Sequence, residues 1–380
     1  MSGLWSRFAD YIRETDKILL SICLFTSFYG AAIVLSATRF TGTSRAFFVQ
    51  LLGILLGLVA AVTISSISSY DRFVQAWPAF AIVAVGLVAL TFFIGYAPEG
   101  TDDKAWIKLP AGMSFQPSEL LKIAFTITFA RHVSAIEGKE STFKNLILLC
   151  MHGAVPILLI HFQGDDGTAL ILAVMFIVMM FAAGVKLRYF LIAFALLAAA
   201  APIMWVGVMS DDQKSRFEIL FDLESDLYGK GWQQWRARTA MANGGFFGQG
   251  YMKGDFVQGN KLPKGYNDFI FSSAGEELGM LGLLAIMALL LAICIRILIV
   301  AHKAKNKAGK IICAGVFAMI ATQSIINIGM CTCLLPVIGI TLPFFSAGGT
   351  SIVATFLGIG LVTNVYMHRA NRVMYLNDDY

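Results

Sequence analysis

Charge is what this sequence has least of. Only 14% of its 380 residues are Asp, Glu, Lys or Arg, against 57% hydrophobic, and the mean hydropathy is +0.72. A water-soluble domain rarely reaches such values, so the bilayer is the first solvent to consider. Histidine is sparse too, with five residues and no HExxH-like pair. The six cysteines (Cys23, Cys150, Cys294, Cys313, Cys331 and Cys333) sit in or at the ends of apolar runs without metal-ligand spacing. A histidine or thiolate metal centre is therefore not expected, and the cysteines read as small core residues. No solenoid-type repeat recurs and no inverted halves of the transporter kind are visible. The Gly-rich run GGFFGQGYMKG (244–254) is neither a Walker loop nor a dinucleotide fingerprint, so its glycines are expected to serve turns. The polar start and the long first apolar run, which lacks an A-x-A site, do not resemble a cleavable signal.

What fills the chain instead is long apolar runs. Windows suited to a membrane-spanning helix fall at 17–37, 46–66, 74–95, 117–133, 144–161, 168–185, 188–209, 268–298, 311–334 and 346–367. The expectation is an all-α, polytopic membrane protein: a single domain over 1–380 with ten transmembrane helices and one large excursion, 210–267. Lysine and arginine of the short loops concentrate on the N-terminal side, leaving Arg39, Arg45, Lys104 and Lys108 opposite. By the positive-inside rule both termini face the cytoplasm and the excursion faces outward. The basic loop HKAKNKAGK (302–310) then lies inside, and the net charge of +5 reflects this bias rather than nucleic-acid binding. Trp232, Trp235, Phe246, Phe247 and Tyr251 give the excursion aromatic surface to bury, so an ordered cap is expected.

Several polar residues interrupt the apolar pattern. Lys122 sits about one turn into the fourth window, with Glu119 three residues earlier on the same helix face, after Gln116 and Pro117. An intramembrane cation facing a bundle interior marks an anion site or a pathway, although a snorkelling surface pair has the same spacing. Asp165 and Asp166 open the sixth window, where the helix dipole alone would favour them. LPKGYNDFIFSSAGEELG (262–279) brings Asp268, Glu276 and Glu277 to the mouth of the eighth. Asp268 suits an N-cap or a site. Helical phase puts Glu276 on the Asp268 side, where burial demands a partner such as Lys122. Arg236 and Arg238 offer forked donors suited to phosphate. Gly348 and Gly349 present amides to an anion or allow close helix packing. Together these suggest an outward-facing site with carboxylates and phosphate-binding cations. Read physically, they leave a transporter and an enzyme acting on a lipid-linked phosphate both open.

FQPSELLKIA, QGDDGTALIL, GKGWQQWRARTAMANGGFFGQGY, LPKGYNDFIFSSAGEELGMLG and LLPVIGITLPFFSAGGTS, in this order, resemble the SEDS family (shape, elongation, division and sporulation), nearest its RodA-like branch. The resemblance implies a peptidoglycan glycosyltransferase that polymerises lipid II into β-1,4 glycan at the outer face of the bacterial cytoplasmic membrane, in elongation and shape. It implies a class B penicillin-binding transpeptidase as partner and Asp268 as the essential aspartate and general base. Lys122 is then the choice for stabilising the pyrophosphate leaving group, with a divalent cation (Mg or Mn) as a candidate aid. Gln116, Glu119, Trp106, Asp165, Arg236, Arg238, Glu276, Ser346, Gly348 and Gly349 are the other expected substrate contacts. A lipid II flippase and an inactive scaffold for the transpeptidase are the alternatives. The chain departs from the family wording at Ala105, Gly164, Lys264 and Ala347, and has Arg236 where glutamine is usual.

Overall fold

A computed structural model describes residues 13–67, 69–97, 103–110, 114–207, 209–221 and 231–369. Its helices are α1 (Lys17–Ala37), α2 (Arg45–Ile67), α3 (Tyr70–Gln75), α4 (Trp77–Ile94), α5 (Pro117–Ala135), α6 (Phe143–His161) and α7 (Asp166–Ala183). They continue with α8 (Leu187–Gly207), α9 (Asp211–Phe221), α10 (Gly231–Gly244), α11 (Asp255–Gln258), α12 (Ile270–His302), α13 (Lys307–Cys331) and α14 (Gly349–Met367). The described residues depart from the all-α expectation by one small hairpin between α4 and α5. There β1 (Ile107–Lys108) pairs antiparallel with β2 (Ser114–Phe115), Ile107 opposite Phe115.

Among the described residues nine helices are long and apolar enough to cross a membrane. The tenth expected span, α5, is a helix of 19 residues, but Glu119, Lys122 and Arg131 along it leave its composition short of the other nine. The physical reason is its position. Pro117, Ser118, Glu119 and all of Leu121 to Ala130 are buried in the bundle, so polar side chains on α5 face protein rather than lipid.

The bundle is built around α13, whose most apolar window is 78% buried and which packs on α5, α7, α12 and α14. By contrast none of the corresponding window of α8 is buried, so that helix is peripheral. The tightest crossing joins α2 and α14. A Cβ on Gly360 would stand 2.7 Å from Ala61 Cα, so the missing side chain is what lets the two backbones meet. Asn364 then joins them, its Nδ2 donating to the Ile64 carbonyl at 2.8 Å.

Two expectations need correction here. The window 268–298 does not form one uninterrupted span: the backbone breaks at Gly279 (φ 67°, ψ −165°), dividing α12 into a short buried segment and a long membrane-length one. The excursion is ordered where described, forming α9, α10 and α11, yet it does not bury Phe246, Phe247 and Tyr251, which are 56%, 78% and 41% exposed. Phe246 and Phe247 lie within the tight loop 245–250, whose backbone is taken up by contacts with the break in α12, and this leaves their rings exposed.

Candidate functional site

Asp268 lies in the turn that leads into α12. The Lys264 carbonyl accepts from the Asn267 and Phe269 amides at 3.0 and 3.2 Å, closing the turn. The Asp268 carbonyl is held by Asn327 Nδ2 at 2.7 Å, and the same amide group also donates to the Ile340 carbonyl at 2.7 Å. Ser346 fastens the other side, donating to the Asn267 carbonyl at 2.7 Å and accepting from the Leu342 amide at 2.8 Å. The helix itself begins at Ile270 with Phe269 as its N-cap residue, so Asp268 is not spent on capping. Among the described residues neither of its carboxylate oxygens accepts a hydrogen bond, and the cation beside it is Lys264, Nζ to Oδ2 4.0 Å. Burial pushes the Asp268 carboxyl above the usual range, with Lys264 opposing.

A second cluster is built from α5 and α7. Lys122 is fully buried and donates to Glu119 Oε1 at 2.9 Å. Asp165 is the N-cap of α7, Oδ1 accepting from the Thr168 amide at 2.9 Å, while Oδ2 accepts from Gln116 Nε2 at 2.9 Å. Burial raises the Asp165 carboxyl, against the Thr168 amide and the Lys122 charge. Its helix-start role and its contact with the cluster therefore coexist. The segment between α13 and α14 passes both clusters. A Cβ on Gly339 would lie 3.9 Å from Asp268 Oδ2, and one on Gly167, next to Asp165 and Asp166, would lie 2.8 Å from the Ile338 carbonyl oxygen.

The expected Lys122 to Glu276 pairing is not formed. Both Glu276 oxygens are taken by the first amides of α11, from Phe256 and Val257, each at 2.8 Å. Glu277 accepts from Ser36 at 2.5 Å and from Gln258 Nε2 at 2.8 Å, tying α12 to α1 and α11. Helical phase alone could not foresee this, because the partners come from the excursion folding back onto the broken helix. These two acids are fastenings, whereas Asp268 keeps its carboxylate free for other work.

The remaining candidates are dispersed. Trp106 sits in the hairpin, its carbonyl accepting from the Tyr96 amide at 2.9 Å. The Arg236 guanidinium lies 5.2 Å from the Trp232 ring and 5.5 Å from the Phe256 ring, in cation–π range, and its Nε is buried without a partner among the described residues. Arg238 is exposed. The Gly348 amide faces Gln50 Oε1 at 3.4 Å and Gly349 starts α14, so both serve the α14 entry. Asn327, which fixes the Asp268 backbone, went unnoticed in the sequence, although an amide inside so apolar a helix as α13 is the signal that would have found it. Among the described residues no group of three or more His, Cys, Asp or Glu side chains lies together. The described residues therefore offer no such cluster as a cage for the divalent cation that the resemblance suggests.

A family model described as cell cycle protein, covering FtsW, RodA and SpoVE, matches residues 15–371. The chain belongs to this family. Among relatives of the FtsW/RodA/SpoVE family, the peptidoglycan glycosyltransferase MrdB of Escherichia coli K12 is 31% identical over 356 residues, covering 93% of this chain and 94% of its own. The probable peptidoglycan glycosyltransferase FtsW of Geobacter sulfurreducens is 32% identical over 373 residues, covering 93% and 95%. A chain from a peptidoglycan synthase complex, solved in a study of how polymerisation and crosslinking are coordinated, superposes with a TM-score of 0.80 at 25% identity, over 93% of this chain and 98% of its own. RodA of Thermus thermophilus gives 0.68 at 24% identity, over 93% and 97%, and shows the same fold. With its apolar helices and this kinship, the chain is an integral membrane protein.

Proposed function

We propose that this protein is a peptidoglycan glycosyltransferase that polymerises lipid II, with Asp268 as its general base. The observation that carries the reading is the Asp268 carboxylate: buried, held above its ordinary pKa, fixed through its backbone by Asn327, and left without a hydrogen-bonded partner among the described residues. A base needs that combination of restrained position and raised proton affinity. In the reaction Asp268 takes the proton from the acceptor sugar's 4-hydroxyl as that oxygen bonds to the donor's anomeric carbon. The anomeric bond to pyrophosphate breaks with inversion, and the proton on Asp268 passes to solvent. Lys122, which gives one of its three N–H groups to Glu119 among the described residues, keeps donors for the departing pyrophosphate.

The names of the relatives support the reaction class, and the synthase complex among the solved structures supports a transpeptidase partner of the class B penicillin-binding type. The loop charges support an outward-facing site with both termini cytoplasmic, the chain forming one membrane domain capped by 210–267. The test is polymerisation of purified lipid II by the reconstituted protein with its partner, comparing wild type and Asp268→Asn. Polymer from wild type and at least a hundredfold less from a folded Asp268→Asn variant is the expected result. Equal polymer from both would remove Asp268 as the base and turn attention to Asp165 or Glu276, whereas no polymer from either, where a known polymerase makes it, would return the scaffold and transport readings.

A further inference from the structure

Lys264 is the one charged side chain within ion-pair distance of Asp268 among the described residues, and its backbone is unusual. Its φ is +49°, in the left-handed region that side chains other than Gly, Asn or Asp rarely enter. That conformation lets its carbonyl accept two amides of the turn and so sets where Asp268 stands. From the same residue the ammonium reaches to 4.0 Å of Oδ2, with its side chain 36% exposed while that of Asp268 is 12% exposed. The cation thus occupies the open side of a carboxylate that is otherwise walled in. Nothing else on the elements around Asp268 duplicates it. Asn327 of α13 is neutral, the Cys331 thiol points at the Asp268 carbonyl at 3.8 Å, and Gly339 and Ile340 bring no charge. Arg238 of α10 acts on Cys333 instead.

We propose that Lys264 is a positioning residue for the general base: its ammonium, 4.0 Å from Oδ2, favours the charged carboxylate of Asp268, and its left-handed turn fixes where that carboxylate stands. The inference rests on Asp268 being the base. Its physical content is the sign of the effect. A nearby cation favours the charged form of the acid, whereas burial favours the neutral form. Without Lys264 burial acts alone and Asp268 holds its proton to higher pH.

The experiment measures the pH dependence of kcat for lipid II polymerisation by the reconstituted protein with its partner. It compares wild type with Lys264→Met, Lys264→Arg and Asp268→Asn, each checked for wild-type melting. Lys264→Met keeps the side-chain length and the same backbone cost but removes the charge. The acid limb of its profile should move up by about one pH unit, a tenfold loss on the limb, with wild-type kcat recovered on the alkaline plateau. Lys264→Arg should restore the wild-type limb. A Lys264→Met profile that coincides with wild type, or one lowered equally at every pH, overturns the proposal while leaving Asp268 as the base if Asp268→Asn stays inactive. Activity in Asp268→Asn would instead overturn the reading beneath it.

Discussion

Gly248 and Gly279 meet backbone to backbone: a Cβ on Gly279 would stand 2.3 Å from the Gly248 nitrogen, and one on Gly248 would stand 2.2 Å from the Glu277 carbonyl oxygen. The break in α12 makes this possible. It frees the Glu276 and Glu277 carbonyls to accept from the Gln249 and Gly250 amides at 2.9 and 3.0 Å, while the Met280 amide donates to the Gly245 carbonyl at 2.9 Å. The helix gives up part of its own ladder at the break, and the backbone of loop 245–250 supplies partners to these freed groups. The turn that carries Asp268 lies upstream of this junction, at the other end of the short buried segment of α12.

Gly279→Ala tests the junction. With φ 67° and ψ −165° the residue sits in a region open essentially to glycine alone, and the added methyl must also push the 246–248 backbone away. A loss of about 2–4 kcal/mol is expected from strain and steric displacement together. It would appear as a lowered melting temperature in detergent, with proteolysis beginning in the 244–258 region. Wild-type melting would mean that the loop does not need this close approach.

Glu276→Gln isolates the fastening from the chemistry. The carboxylate offers an oxygen to each of the Phe256 and Val257 amides, whereas a carboxamide offers one oxygen and turns an N–H₂ against the other donor. An unsatisfied buried donor costs about 1–3 kcal/mol. Faster nicking of the 244–258 region should therefore accompany a nearly unchanged kcat in the surviving protein. A selective collapse of kcat with an intact loop would restore Glu276 to the reaction.

These two acids show where the sequence could be read and where it could not. The helical spans follow from local apolar composition, so nearly all of them were legible, and Glu119 and Lys122 were legible as polar residues within α5. Lys122 and Glu119 were readable as a pair because both lie on one helix at i and i+3. Glu276 and Glu277 were read as depth in a membrane because a continuous helix was assumed. Their partners Phe256, Val257, Ser36 and Gln258 come from distant sequence through a break that one glycine makes. Asn327 was hidden for the same reason, since its two acceptors lie on separate segments. The partners of Asp165 were half visible: its capping of α7 is local, while Gln116 reaches it from α5.

Lys122 and Glu119 call for a double substitution. Lys122→Met leaves a buried carboxylate without its cation, and Glu119→Gln leaves a buried ammonium without its anion, each expected to cost about 3–5 kcal/mol. Replacing both by neutral side chains of similar shape removes the unpaired charge, so the double variant should recover most of that stability. Its polymerisation should stay as low as that of Lys122→Met, because the charge for the leaving group is still missing. Recovery of activity along with stability would make the pair structural only.

Asp268→Asn should lose activity and gain stability, and pH decides how much. Two effects compete at this residue. Burial penalises the carboxylate and the Lys264 ammonium favours it, and burial wins, because the carboxyl lies above its ordinary range. A carboxyl raised on folding binds its proton more tightly in the folded state than in the unfolded one. Its contribution to stability is therefore full below the unfolded value, about pH 3.9, and falls as pH rises through the folded one. Asparagine keeps the shape and never ionises, so it escapes that fall. Thermal unfolding of the two proteins should nearly coincide at about pH 4 and separate as pH rises, with Asp268→Asn melting above wild type at pH 8. A variant that melts below wild type at pH 8 would mean that the Lys264 pair outweighs burial, and that wild-type Asp268 is ionised at lower pH than an isolated carboxyl.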